Sequence, residues 1–341
     1  MRSKAPALLL ALSLLTACSG GGDPKQAAPS PTASPTPTVS ATPSVAPKPK
    51  PVALDFLTGK APRRTGPVVA IKVDNSLLAR QYQRGLRSSA VVYQELVEGG
   101  STRLLAVLES DVAADAEVGP IRSVRESDIE LLRQYGGIAV GFSGGNTGVK
   151  ASFASAARKG QVVDASYDAI PPAYRLGERR RDARNFFTTA DKLVSRRPGA
   201  GPKDIGLRFG RLGRGVPTAV ATATFSTLSS LRARFDAAAG TYVLSQAGAQ
   251  IPVAPANVIV QFVKIRASRY SDVKGNPTPY TVTQGSGRAV VMRDGQRFEG
   301  TWKRTALGAT HFLDQAGRDV PLKPGSTWVV LLPSTGPLSF G

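Results

Sequence analysis

The chain has 341 residues, with one cysteine, one histidine, and 44 lysines and arginines against 24 aspartates and glutamates, a net charge of +20. A single cysteine excludes a disulfide framework and any cysteine-built metal site, so folded stability has to come from hydrophobic cores. Five of those basic residues and one acidic residue precede Val52, so the rest of the chain keeps +16. Such a surface suits anionic headgroups, teichoic-type polymers or nucleic acid; a high-GC codon bias enriches Arg, Ala and Gly in the same way with no ligand implied.

In chain order, Arg2 and Lys4 precede an apolar run, Ala7 to Leu15, far shorter than the roughly 20 residues a membrane span needs. Leu15-Thr16-Ala17 followed by Cys18 reads as a lipobox. Residues 1–17 are then a lipoprotein signal peptide, and Cys18 is the acylated first mature residue that anchors the chain to the membrane. An ordinary signal peptide or an uncleaved anchor is the plainer alternative. Residues 18–51 are mostly Pro, Ser, Thr, Ala, Gly and Lys with no aromatic, and cannot bury enough surface to offset ordering entropy. Proline-rich segments extend at about 3.1 Å per residue, so this stretch is a spacer.

Beyond it, Val68–Val73, Ala90–Val97 and Thr102–Leu108 are strand-like runs, and residues 123–134 predict a helix with Ser123 and Glu126 as a capping box. Residues 137–142 read as a buried strand, and residues 147–159 as a second helix. Alternation of this kind predicts a mixed, layered α/β domain over residues 52–200. Residues 183–216, rich in Arg, Gly and Pro, read as a loop-rich boundary. Residues 215–335 then predict a smaller, mainly β domain, with Asp294-Gly295 as a type I′ hairpin turn and Trp302 and Trp328 in its core.

Two long stretches, residues 92–103 (Val-Tyr-Gln-Glu-Leu-Val-Glu-Gly-Gly-Ser-Thr-Arg) and 118–125 (Val-Gly-Pro-Ile-Arg-Ser-Val-Arg), resemble the YerB-like lipoprotein family. Leu57-Thr58-Gly59, Val73-Asp74-Asn75 and Arg84-Gly85-Leu86 fit its start; residues 294–302 and 322–328 fit its C-terminal companion domain. The resemblance covers nearly all of residues 54–333. It implies an extracytoplasmic lipoprotein with a layered α/β N-terminal domain and no established activity. The chain departs from the family where Ala183-Arg184 stand for Pro-His before Asn185, and where Glu126 stands for Pro. Acid–base work by that histidine is therefore closed to this chain.

Arg122 and Arg125 precede the first helix, and Arg103 starts a neighbouring strand. Three guanidinium forks near a helix start, with the Ser143-Gly144-Gly145-Asn146 turn, form a candidate anion site. Pairing of Arg122 and Arg125 with Glu95, Glu98 or Glu126 is the structural alternative. Asp74, Glu95 and Glu98 are acidic candidates for acid–base or cation-holding roles, but no metal-binding spacing accompanies them. The run Arg175, Arg179, Arg180, Arg181 and Arg184 beside Tyr174, Phe186 and Phe187 could touch nucleic acid, which an exported chain rarely meets; a solvated loop or an anionic wall polymer suits it better. His311 lacks a nucleophile elbow, so no catalytic residue, metal or cofactor is assigned.

The expectation is a binding module lipid-anchored to the outer face of a bacterial membrane, holding an anionic cell-wall polymer or a lipid-linked phosphate. Its protein partner is left unnamed. The alternative is an envelope enzyme acting on phosphate-linked glycopolymers or polyprenyl pyrophosphates, for which the strand–arginine–helix order is similar in shape to LytR-CpsA-Psr ligases. A scaffold that ignores such ligands is the third possibility.

Overall fold

The computed structural model describes residues 52–111, 116–179, 184–211, 213–272 and 275–341, with backbone alone for 178, 179 and 184. The signal peptide, Cys18 and the spacer lie outside the described residues. The N-terminal elements are β1 (Val68–Asp74), β2 (Val91–Leu96), β3 (Thr102–Glu109), β4 (Val118–Ile121), α1 (Glu126–Leu132), β5 (Ala139–Gly141), α2 (Thr147–Arg158), β6 (Val163–Asp164), β7 (Arg175–Arg179), β8 (Arg184–Thr188) and α3 (Ala190–Val194). The C-terminal ones are β9 (Val216–Pro217), β10 (Val220–Ser226), β11 (Ser229–Asp236), β12 (Thr241–Gln246), β13 (Ala249–Gln250), β14 (Asn257–Val263), β15 (Ile265–Ser271), β16 (Pro277–Thr281), β17 (Gly285–Arg293), β18 (Gln296–Arg304), β19 (His311–Leu313), β20 (Thr327–Pro333) and β21 (Leu338–Phe340).

Sheet outweighs helix throughout. The strand–helix alternation read from the sequence holds only along β4–α1–β5–α2–β6; β1, β2 and β3 follow with no α-helix between them, and β3 lies between β2 and β1, antiparallel to both. Strands from both halves of the chain share one large sheet, because β20 lies parallel to β2 on one side and to β14 on the other. Every residue of β1 is buried, as expected of a strand covered on both faces. On one face Val69, Ile71, Leu104 and Ala106 pack beneath a second sheet, β13-β12-β11-β10-β21, through Ala223, Phe225, Leu231 and Tyr242. On the other, Ala70, Leu105 and Tyr93 meet α1 and α2 through Ile129, Leu132, Val149 and Phe153.

Two local expectations change and a third is met. Helix α1 starts at Glu126 rather than Ser123, with Arg125 at the N-cap and Asp128, not Glu126, bonding back to its backbone. Asp128 is the residue whose carboxylate can return to the backbone N–H of Arg125, at 2.7 Å, whereas Glu126 is drawn outward to Ser268 and Arg269. The stretch read as a loop from Ala183 contains β8 and α3, since the Asn185–Thr188 run extends the sheet beside β4 and buries Phe187. Asp294 and Gly295 do form the β17–β18 turn, with φ of 52° and 69°, and Trp302 and Trp328 are buried.

A buried carboxamide network joins the second sheet to the first. Gln246 at the end of β12 accepts from Asn75 (2.9 Å) and Gln94 (3.1 Å), both also donate to Thr102, and Trp328 Nε1 donates to Gln94. At the opposite end of β1 and β3, near where the described chain begins, Asp55 and Glu109 meet as a buried acid pair.

Candidate functional site

The C-terminal end of β1 and the start of β3 are fixed by register, which sets Asp74 across from Arg103, with Glu95 of β2 on the far side of Arg103. Asp74 is fully buried and holds two guanidiniums, Arg103 Nη1 at 3.1 Å and Arg122 Nε at 3.3 Å. Arg122 leaves β4 with its N–H on the carbonyl of Lys72. Arg125, the N-cap of α1, pairs with Glu98, which also accepts from Thr278 Oγ1 at 2.7 Å. Burial pushes Glu98 upward, but Arg125 overcomes it and holds the carboxyl below its ordinary range. Burial draws Arg103 down to about 10, opposed by Asp74.

These side chains border a cleft of about 750 Å³. One wall is Arg103, Arg122 and Arg125; another is Gly145, Asn146 and Thr147 at the start of α2; a third is Ser271, Asp272 and Thr278 of the β15–β16 hairpin. Glycine is required in the turn, where Gly144 has φ +81° and a β-carbon would lie 3.2 Å from Ser123 Oγ. Asn146 caps α2 by accepting from the Gly148 N–H and ties the hairpin by donating to the Ser271 carbonyl, both at 2.8 Å. The cleft thus brings together Arg103, Arg122, Arg125 and Gly145, with Gly144 adjacent. Arg125 is paired with Glu98, as the structural alternative expects, whereas Arg103 and Arg122 are paired with Asp74 instead, and each of the three keeps a buried Nε with no hydrogen bond of its own.

Beneath this wall lies a cluster that the sequence reading missed. Lys72 is fully buried between Glu95 and Asp128, 2.7 Å from the latter, and Ser127 Oγ donates to Glu95. One buried cation between two carboxylates leaves the inner group one negative charge in excess if all are ionised. Burial, reinforced by Asp128, pushes Glu95 up to about 7 against the pull of Lys72. Glu95 is therefore an interior group and not a strand-end ligand. The available signal was Lys72 itself, the one charged residue inside the otherwise apolar run Val68–Val73. Among the described residues, no three His, Cys, Asp or Glu side chains gather as a metal group.

Other candidates sit elsewhere. Arg175 forms a two-point pair with Glu117 at 2.8 Å and stacks on Phe187; the side chains of Arg179 to Arg184 lie outside the described residues. His311 is 3.0 Å from Asp319 at the surface. Cys18 is likewise outside them, and no helix among the described residues is long and apolar enough to cross a membrane.

A sheet-rich chain with two matched regions and an arginine cleft at one end of its main sheet is the class these features define. Residues 57–203 match the N-terminal domain, and residues 221–329 the C-terminal domain, of the family described as protein of unknown function DUF3048. The chain belongs to this YerB-like family. A Bacillus subtilis (strain 168) relative, YerB, whose name describes it provisionally as a lipoprotein, is 25% identical over 297 residues, 78% of this chain and 81% of that one. The crystal structure of YerB from Bacillus subtilis shares the fold with a TM-score of 0.68 at 21% identity, covering 84% of this chain and 99% of that one.

Proposed function

We propose that this protein is an extracytoplasmic lipoprotein, lipid-anchored through Cys18 and held off the membrane by residues 18–51, whose arginine cleft binds an anionic cell-envelope ligand. The observation that carries this reading is the convergence of Arg103, Arg122 and Arg125 on one 750 Å³ cleft. A volume of this order is typical of small-molecule sites, and guanidinium forks favour phosphate and carboxylate oxygens. Asp74 and Glu98 hold the arginines in place and prevent their mutual repulsion from opening the cleft. The relative's name supports the anchoring, and the lipobox supplies its chemistry.

The test is titration calorimetry of the full chain with polyprenyl pyrophosphate-type ligands and anionic wall polymers, beside an Arg122→Ala/Arg125→Ala variant. Saturable binding that disappears in the double variant supports the reading. Absence of binding in a folded wild-type chain rejects it.

A further inference from the structure

A second cationic cavity opens at the same end of the main sheet. It holds about 500 Å³ and is bordered by Lys264, Gln284, Ser286, Arg288 and Ser334, with no carboxylate among the described residues that line it. Lys264 and Arg288 are both exposed, and the Arg288 guanidinium lies 4.7 Å from the centre of the Phe262 ring, which fixes where its charge sits. Glu299, which does not border the cavity, pairs with Arg288 at 3.2 Å. Both side chains are nearly half exposed, where such a pair contributes little.

Register ties this cavity to the arginine cleft. One row of paired residues crosses the sheet from Gln261 in β14 to Leu331 in β20, Glu95 in β2 and Arg103 in β3. Ala289 of β17 continues the row beyond Gln261. Phe262 and Arg288 each stand one residue from it, toward the same end. Neighbouring strands lie about 4.8 Å apart, so the strand of Phe262 is about 14 Å, and that of Arg288 about 19 Å, from the strand of Arg103.

Consecutive strand ends line the way between. Lys264 follows β14 and Ser334 follows β20, and both border the second cavity; Val97 and Glu98 follow β2 and border the cleft. The β15–β16 hairpin walls both spaces. Lys264 and Val282 flank its base in one, and Ser271, Asp272 and Thr278 stand near its tip in the other.

Cations this far apart cannot share one small anion. Resting on the anion reading above, we infer that the ligand is a linear phosphate polymer of the cell envelope. One phosphate occupies Arg103, Arg122 and Arg125, and another, farther along the same chain, reaches Lys264 and Arg288. The ends of β2 and β20 carry the stretch between them. Once the first phosphate is held the second contact is intramolecular, so modest surface cations suffice. Gln284, Ser286 and Ser334 donate and accept, which suits hydroxyl-bearing units between phosphates. Single-stranded nucleic acid is the poorer fit, because it calls for exposed rings on which bases stack, and Phe262 and Trp302 in this cavity are buried.

Calorimetry of the full chain in micelles of a neutral detergent compares inorganic phosphate with long poly(glycerol phosphate), counted per phosphate. The polymer is expected to bind more tightly by on the order of tenfold or better. Lys264→Glu, at an exposed position, and Lys264→Ala/Arg288→Ala should each bring the polymer down to the affinity of inorganic phosphate, which neither variant changes. A polymer advantage that survives both variants belongs to overall charge; it overturns the second contact and leaves the anion reading standing. Equal affinities in the wild type do the same. Binding of neither probe overturns both readings. A single-stranded oligodeoxynucleotide of equal charge that binds as tightly as the polymer overturns the envelope polymer as the ligand.

Discussion

Glu109 at the end of β3 and Asp55 at the start of the folded chain are hydrogen-bonded to each other as two carboxyls sharing one proton. Asp55 is the ionised partner: burial pushes it up, but Glu109, the Thr58 hydroxyl and the backbone N–H groups of Leu57 and Thr58 hold it below its ordinary value. Burial, then Asp55, pushes Glu109 up to about 8.

Stability should therefore fall as pH rises across this pair. The folded state binds a proton on Glu109 that the unfolded chain has released above its ordinary value, 4.5. The stabilisation is complete below that value and is lost as pH climbs through about 8. Thermal melts between pH 5 and 9 should show Tm declining, and Glu109→Gln should flatten the decline. An unchanged slope in that variant would place the titrating group elsewhere.

Removing Asp74 should be costly, because it leaves Arg103 and Arg122 half-buried or deeper with no countercharge. Stripping one partner from a buried pair typically costs about 3–5 kcal/mol. Asp74→Asn should lose stability of that order in urea melts. Phosphate at tens of millimolar should then restore more stability to the variant than to the wild type, by occupying the unneutralised arginines.

The inner cluster should respond asymmetrically. Lys72→Met strands Glu95 and Asp128 together without a cation, and is expected to lower stability by about 3–5 kcal/mol. Glu95→Gln leaves Lys72 paired with Asp128 and removes the excess charge, so it should cost under about 1.5 kcal/mol, the scale of one ordinary hydrogen bond. Denaturant midpoints for the two variants settle the order; equal losses would contradict the charge balance.

Gln246→Ala should loosen the second sheet from the first. It deletes the acceptor shared by Asn75 and Gln94, and an unsatisfied buried donor costs roughly 1–3 kcal/mol. Hydrogen exchange should accelerate in β11 and β12 while the amides of β1 and β3 stay protected. Uniform acceleration would mean that the two sheets open as one.

The arginine site was legible because its parts are local: Arg122 and Arg125 flank a helix start, and Gly144-Gly145 is a recognisable turn. Their convergence with Arg103 depends on the β1–β3–β4 arrangement, which only the register of long-range strands decides. The helix start slipped because Ser123 and Glu126 satisfy the capping pattern, whereas arginine at an N-cap has no acceptor to announce it; Lys72, out of sight in sequence, recruits Asp128. The even α/β alternation failed where β20 enters beside β2, a pairing that no local pattern announces.

The described chain enters beside Glu109, at one end of β3, while Arg103 begins that strand at the other, about 20 Å away at the usual rise per residue. A pull between the spacer and an occupant of the cleft would thus run along the strands. The seven-residue β1–β3 register would be loaded in shear, its hydrogen bonds sharing the force side by side instead of parting one after another. If the proposed anchor and ligand are both engaged, the chain takes strain from the cleft without peeling open at that end.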